Sequence, residues 1–395
     1  MEINIPTYVR EIMNRIDAAG YEAFAVGGSL RDLLLGKEPH DWDVTTSALP
    51  EAVIELFPDK KVIPTGIKHG TVTVLSDGFP IEITTYRVDG EYTDSRRPDK
   101  VEFTRNIEDD LSRRDFTVNA LAYNEKRGLF DLFGGKEDLE NRILRAVGEP
   151  DKRFTEDALR IMRAFRFSAQ LGFDIEEKTL ESAKKLSPRL KNIAKERIGS
   201  EFFRLLSSGY PEKALTGMEE VIFEILPIKE IESDRFLLVE KLPPDSSARL
   251  ACILYGKTSE EILGTAHALR LSNEQKRALI LLATPTEVAL SLTPLSARRF
   301  LRHYGSEWSA AARMLSLLGV LSPEFEKIIS AEAKKKPCLS LDALAIGGAQ
   351  LISLGLAEGK GVGAMLSALL DAVIEDPSLN EREKLIDIAK KLAHE

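Results

Sequence analysis

Val9, Ile12, Met13 and Ile16 recur at the spacing of one helical face, and Gly20 marks where that helix stops. The period then shortens. Ala23–Val26 is an apolar run that predicts a strand, residues 29–35 return to helical spacing up to Gly36, and residues 41–45 read as a second strand. Leu49-Pro50 opens a further helix. Residues 71–75 and Phe79–Thr85 flank Ser76-Asp77-Gly78, the pattern of a hairpin whose turn carries a glycine. Strands this closely spaced leave no room for repeated βαβ crossovers, so the first 145 residues predict a small mixed sheet and not a doubly wound one.

After about residue 145 the strand signal fades, and Leu, Ile, Ala and Phe recur every three to four residues almost to Glu395. Pro188, Pro211, Pro227, Pro243-Pro244, Pro323 and Pro377 divide this part into separate helices. The expected organisation is an α+β head over residues 1–145, a basic helical neck over 146–206, a helical body over 207–310 and a helical tail over 311–395. With 395 residues, 43% of them hydrophobic and 30% charged, the chain has a soluble globular composition and suits several units. No apolar run reaches the roughly 20 residues of a membrane span, and the first ten residues lack a signal-peptide layout, so a cytoplasmic location is expected. Cys252 and Cys338 are too far apart in sequence to suggest a zinc site or a disulfide framework. A net charge of -9 argues against indiscriminate nucleic-acid binding. Residues 142–204, however, hold fifteen Lys and Arg against ten Asp and Glu, enough local charge to attract phosphates.

Three clusters carry candidate chemistry. In Asp41-Trp42-Asp43 two carboxylates lie two apart on a strand and so share a face, where their repulsion favours a hard cation such as Mg²⁺. A lone Asp-x-Asp is as readily a solvated strand end, and context decides. Gly27-Gly28 opens the preceding helix, where backbone N–H groups can approach a phosphate, and Arg31 in its first turn can add a bidentate grip. In Arg113-Arg114-Asp115 the aspartate can hold one guanidinium while the other meets a triphosphate. Asp131-Leu132-Phe133-Gly134-Gly135 reads as structural bracing. In the third cluster Asp157, Arg160, Arg163 and Arg166 step along a helix. The bland reading is a charged outer face; the sharper one is a base reader. Asp157 accepts from an exocyclic amino group and Arg160 donates to the adjacent ring nitrogen, which admits C and A and refuses G and U.

In this order and spacing the clusters resemble the class II tRNA nucleotidyltransferase family, which includes CCA-adding enzymes and bacterial poly(A) polymerases. The matching stretches are residues 27–46, 82–97 with Arg96-Arg97-Pro98-Asp99, 113–120, 131–139, 156–173 and Ile193-Ala194-Lys195-Glu196-Arg197-Ile198 onward. They cover about the first 206 residues; the rest matches only in helical character. The resemblance implies a polymerase-β-like head followed by all-α neck, body and tail domains, with tRNA along the helical part. It implies that Asp41 and Asp43 bind catalytic Mg²⁺, that Gly28, Arg31 and Arg114 hold the triphosphate, and that Asp157 and Arg160 read the base with Arg163 and Arg166 completing the pocket. Glu82, Asp115 and Asp131 are equal candidates for a third carboxylate. The loop over residues 86–100 disfavours CC-only addition, and residues 190–196 look like the CCA-adding version. The expected activity is therefore CCA addition to the tRNA 3′ end from CTP and ATP, with A-only addition or poly(A) synthesis as the alternative.

Asp41-Trp42-Asp43-Val44-Thr45 also fits a haloacid-dehalogenase-like phosphatase, in which Asp41 would be a nucleophile; the preceding Gly-Gly helix and following hairpin argue against it. His40-Asp41 suggests a metal-dependent phosphohydrolase, but the other histidines show no partnering pattern. An inactive RNA-binding scaffold is disfavoured by the intact Asp41, Asp43, Asp157 and Arg160. The basic group Arg298, Arg299, Arg302 and His303 lies on an expected helix and is either a tRNA backbone contact or a solvated face.

Overall fold

The computed structural model describes residues 3–39, 41–89, 101–232, 234–288 and 290–393. His40, His394 and residues 90–100 of the expected loop lie outside the described residues.

Helix α1 (Thr7–Ala18) buries Val9, Ile12, Met13 and Ile16, the stripe its spacing predicts. Strand β1 (Ala23–Val26) is buried throughout and leads directly into α2 (Gly27–Leu34). That helix starts two residues ahead of the expected position because glycine adopts the conformation the abrupt strand-to-helix turn demands, with Gly27 at φ 73°. Strand β2 (Trp42–Thr46), α3 (Pro50–Leu56), the edge strand β3 (Lys61–Gly66), β4 (Thr71–Ser76) and β5 (Phe79–Thr85) follow. The β4–β5 hairpin turns at Asp77 and Gly78, both with positive φ, a combination that matches the twist of the two strands. Sequence periodicity missed β3. It carries Pro64 and has no deeply buried face, both tolerable at a sheet edge.

A short antiparallel ribbon, β6 (Arg87–Asp89) and β7 (Val101–Phe103), leads to α4 (Ile107–Ser112), then to the hairpin β8 (Leu121–Asn124) and β9 (Gly128–Asp131). The main sheet has the order β3-β4-β5-β2-β1-β8-β9. It is mixed, as expected, with β2 and β5 parallel and their neighbours antiparallel. One face packs on α1 and α3 through Trp42, Val44, Val72, Val74, Ile81 and Ile83.

Helices then dominate: α5 (Gly135–Asn141), α6 (Pro150–Glu156), α7 (Leu159–Leu171), α8 (Glu177–Leu186) and α9 (Lys195–Leu206). The exception is a two-residue parallel pairing of Ile143–Leu144 with Asp174–Ile175, too short to leave a periodic signal. Prolines mark helix starts. Pro150, Pro211, Pro294 and Pro323 sit in first turns, where a missing N–H costs nothing, and Thr293 and Ser322 cap the last two.

The chain forms two compact units, residues 1–229 with His267–Arg270, and residues 230–266 with 271–395. The second is all helix among its described residues, with a core that includes Leu351, Leu369, Val373 and Leu385. Its basic group does lie on a helix, Pro294–Tyr304. There Arg298 is buried against Glu332 and the carbonyls of Ile374 and Glu375, while Arg299 pairs with Glu375 and Arg302 with Asp371. These arginines staple neighbouring helices. Among the described residues no helix is long and apolar enough to cross a membrane.

Candidate active site

Trp42 and Val44 point into the core, so Asp43 between them points the other way, toward an open cleft. Asp41 precedes β2 by one residue and is exposed. The sheet register puts Val26, and with it the start of α2, on one side of Asp43 and Glu82 on the other. Burial raises the Asp43 carboxyl above its usual range; Arg114 opposes this, and the negative charges of Glu82 and Asp41 push it further up. A carboxylate under that load is a ready ligand for a cation.

Gly27 closes the other wall. A Cβ there would stand 3.3 Å from Arg114 Nη1 and 3.4 Å from Asp43 Oδ2, in a backbone conformation that side chains disfavour. Gly27→Ala is therefore expected to cost about 1–2 kcal/mol in strain and crowding. Denaturant titration checks this, and an unchanged stability would refute the close approach.

The arginines are held from below. Asp110, fully buried, accepts from Arg113 Nε (3.0 Å) and Nη2 (2.6 Å), Arg114 Nη2 (3.2 Å) and Thr45 Oγ1 (3.2 Å). Burial alone would raise its pKa, but Arg113 and Arg114 bring it below the usual range. Asp115 accepts from Phe116 N (2.9 Å) and Asn119 Nδ2 (3.1 Å) with one oxygen, and from Arg163 Nε (2.7 Å) and Nη2 (2.5 Å) with the other. Against the cost of burial, Arg163, Asn119 and Arg160 hold it at about 2. Asp131 spends both oxygens on the Gly135 and Lys136 amides, bracing the start of α5 as the sequence suggested. Of the three candidate extra carboxylates, Asp131 is bonded to the start of α5, Asp115 lines the same cleft but has both oxygens bonded, and Glu82 stands in register with Asp43.

The cleft has a volume of about 370 Å³. Asp43, Arg114, Asp157, Arg160 and Arg163 line it, together with Arg113, Arg197, Thr71, Thr84 and Arg87. Arg31 and Arg166 do not reach its wall. Arg31 is buried, bonded to Asp32 (2.8 Å) and Asn119 (2.8 Å), and Arg166 is buried against Glu201 (2.5 Å) and Gln170 (2.9 Å). Both guanidiniums, with that of Arg163, surround the Phe167 ring at 5.2, 3.8 and 5.2 Å respectively. Gly28 sits one residue inside α2, with the Arg31 guanidinium 3.5 Å from where its Cβ would be.

Asp157 departs from the expected helical stripe. It is extended, at φ -137°, and joins α6 to α7; its Oδ1 accepts from Leu159 N (3.0 Å), while Oδ2 lies 3.5 Å from Arg197 Nη2. Arg160 donates to Glu156 (2.9 Å) and to the Arg113 carbonyl (2.7 Å), which fixes its plane. Arg197, which sequence reasoning left without a role, has a buried Nη1 with no hydrogen-bond partner among the described residues. Asp110 was also missed, although its spacing of three and four residues from the arginine pair was a usable signal.

Among the described residues no group of three or more His, Cys, Asp or Glu is arranged to hold a metal ion by itself. Asp43 and Glu82, paired on neighbouring strands, with Asp41 just ahead of β2, instead offer oxygen donors that suit a hard cation completing its shell with water.

Residues 23–145 match the poly A polymerase head domain, and residues 172–226 match a domain described as the probable RNA and SrmB-binding site of polymerase A. The CCA-adding enzyme of Leuconostoc mesenteroides subsp. mesenteroides is 38% identical over 392 residues, covering 97% of this chain and 96% of that protein. The crystal structure of the Bacillus stearothermophilus CCA-adding enzyme in complex with CTP superposes with a TM-score of 0.82 at 31% identity, covering 98% of this chain and 97% of that one. The Thermotoga maritima CCA-adding enzyme complexed with tRNA shares the fold, with a TM-score of 0.74 at 24% identity, covering 99% and 97%.

Proposed function

The chain belongs to the CCA-adding enzyme family of tRNA nucleotidyltransferases, and from that membership we propose a division of labour among the residues of its cleft. The reaction is the addition of C, C and A to the 3′ end of tRNA from CTP and ATP, with release of pyrophosphate. One observation carries the assignment of residues: Asp43 is wedged between the Gly27–Arg114 wall and Glu82 and opens onto the same cleft as Asp157 and Arg160.

The family is generally metal-dependent, and we assign the ion as Mg²⁺, held by Asp41 and Asp43 with Glu82 as the third carboxylate. Bound there, Mg²⁺ would lower the pKa of the RNA 3′ hydroxyl and steady the pyrophosphate leaving group. The chain's own groups do the rest. The first amides of α2 at Gly27 and Gly28, together with Arg114 and Arg113, hold the triphosphate, and Asp110 keeps both guanidiniums from swinging away. Arg31 and Arg166 act from beneath, through Asn119 and the Phe167 ring, by keeping Arg163 at the wall. Asp157 accepts from the exocyclic amino group of C or A, and Arg160, immobilised by Glu156 and the Arg113 carbonyl, donates to the neighbouring ring nitrogen. Residues 1–145, 146–206, 207–310 and 311–395 serve as head, neck, body and tail, and the enzyme works in the cytoplasm.

Incubating the protein with tRNAs that end at the discriminator base, at C or at CC, with CTP and ATP supplied separately and together, is expected to give CCA-ended products on sequencing. Products extended by A alone, or by G or U, would overturn the assignment.

A further inference from the structure

We propose that the half-buried cleft wall formed by β5 and β4 beside Asp43, marked by Thr84, Thr71 and Arg87, seats the 3′-terminal nucleotide of the acceptor tRNA. The inference rests on the reading of Asp43 and of the Gly27–Arg114 wall given above.

In the transfer step the ribose 3′ oxygen forms a bond to the α-phosphorus while the bond to the bridging oxygen breaks. Pyrophosphate leaves with that electron pair, and the hydroxyl proton passes to solvent. Attacking and leaving oxygens lie roughly in line through the phosphorus. The direction of the leaving group therefore sets the direction of the nucleophile. Triphosphate held by Gly27 and Arg114 lies on the β1 side of Asp43, because Val26 pairs with Asp43 in the sheet. The base is drawn toward Asp157 and Arg160. The remaining approach is from the opposite side of β2, over β5 and β4.

That side is built for a polar guest. The register aligns Asp43 with Glu82 and Thr73 in one row, and Thr45 with Thr84 and Thr71 in the next, all on one face. The opposite face buries Val72, Val74, Ile81 and Ile83, which accounts for the strands. Thr71 Oγ1 and Thr84 Oγ1 lie 3.0 Å apart and both residues line the cleft. Each hydroxyl can both donate and accept, so the pair retains capacity for ribose hydroxyls after its mutual bond is made. Arg87, anchored by the His69 carbonyl, lines the same wall and supplies positive charge to the terminal phosphodiester. Cross-strand threonine pairs are common in sheets; this one is singled out by its position in the cleft.

Thr71→Val with Thr84→Val removes two hydroxyls while nearly preserving shape, and Arg87→Gln removes a charge. Each variant is expected to lower kcat/KM for a C-ended tRNA about tenfold, the scale of one or two lost hydrogen bonds, while the Kd for CTP, measured calorimetrically without RNA, stays at the wild-type value. An unchanged kcat/KM for tRNA, or weakened CTP binding, overturns the proposal. Photocrosslinking of the unaltered protein to tRNA carrying 4-thiouridine at its 3′ terminus is expected to label residues 71–87. Labelling confined to residues 153–197 also overturns it. Asp43→Ala, assayed alongside, separates the two levels: if it stays active, the reading of the cleft fails, whereas an inactive Asp43→Ala beside unaffected threonine and Arg87 variants removes the acceptor seat alone.

Discussion

Asp43→Ala is expected to slow nucleotide incorporation by ~10³-fold or more, the several kcal/mol that a metal ion contributes to transition-state charge, while tRNA binding remains. Burial, with Glu82 and Asp41 nearby, already raises the Asp43 pKa against the pull of Arg114. A carboxylate anion disfavoured in this way gains from a cation placed beside it. Its removal leaves the arginine wall and the Asp157–Arg160 pair in place, so nucleotide and tRNA should still bind. Asp41→Ala should act in the same direction, through the second member of the pair. Single-turnover incorporation of radiolabelled CTP gives the rate, and filter retention of tRNA gives the binding. A variant that keeps a substantial share of the wild-type rate would remove Asp43 from the chemistry.

Asp115→Ala is expected to destabilise the first unit by ~3–5 kcal/mol, because breaking a buried ion pair from one side strands the other charge. Arg163 would lose both of its bonds to the carboxylate, and Asn119 Nδ2 and the Phe116 amide would lose their acceptor. Denaturant titration should show the loss directly. The same group sets an acid limit. Its pKa of about 2 in the folded protein lies below the ordinary value near 4, so its contribution is complete above about pH 4 and disappears as pH falls toward 2. The wild-type protein should therefore lose roughly 2–3 kcal/mol across that window through this residue, and Asp115→Ala should show a correspondingly flatter acid dependence. Equal acid slopes in the two proteins would show that Asp115 is not specially stabilised.

Much of the head was legible in the sequence for reasons that can be named. Alternation around a turn that wants positive φ located the β4–β5 hairpin, and a stripe at i, i+3, i+4 and i+7 located α1. Misplacements occurred where one residue type serves two geometries. Gly27 and Gly28 permit a turn anywhere between residues 26 and 29, and only the close packing of Arg114 and Asp43 onto Gly27 shows where it falls. The spacing of Asp157 from Arg160 suits the α7 stripe, yet its side chain accepts from Leu159 N and its backbone is extended. Spacing cannot distinguish a residue within a helix from one just ahead of it.

By itself the sequence determined what depends on neighbours along the chain: a mixed sheet followed by helices, two carboxylates near one strand end, a glycine turn before a helix, and an aspartate three residues ahead of an arginine at the start of α7. Tertiary structure alone decided which charged groups meet. Arg31 finds Asn119 across 88 positions and Arg166 finds Glu201 across 35, so both turn inward to the Phe167 ring while Arg114 and Arg163 face the cleft. Likewise the parallel register of β2 with β5 sets Glu82 directly beside Asp43, a neighbour that spacing along the chain does not reveal. The physical reason is that an arginine or a carboxylate has nearly the same local preferences whether it faces substrate or a buried counter-ion. Its role is settled by desolvation and by the partner that the topology brings within hydrogen-bonding distance.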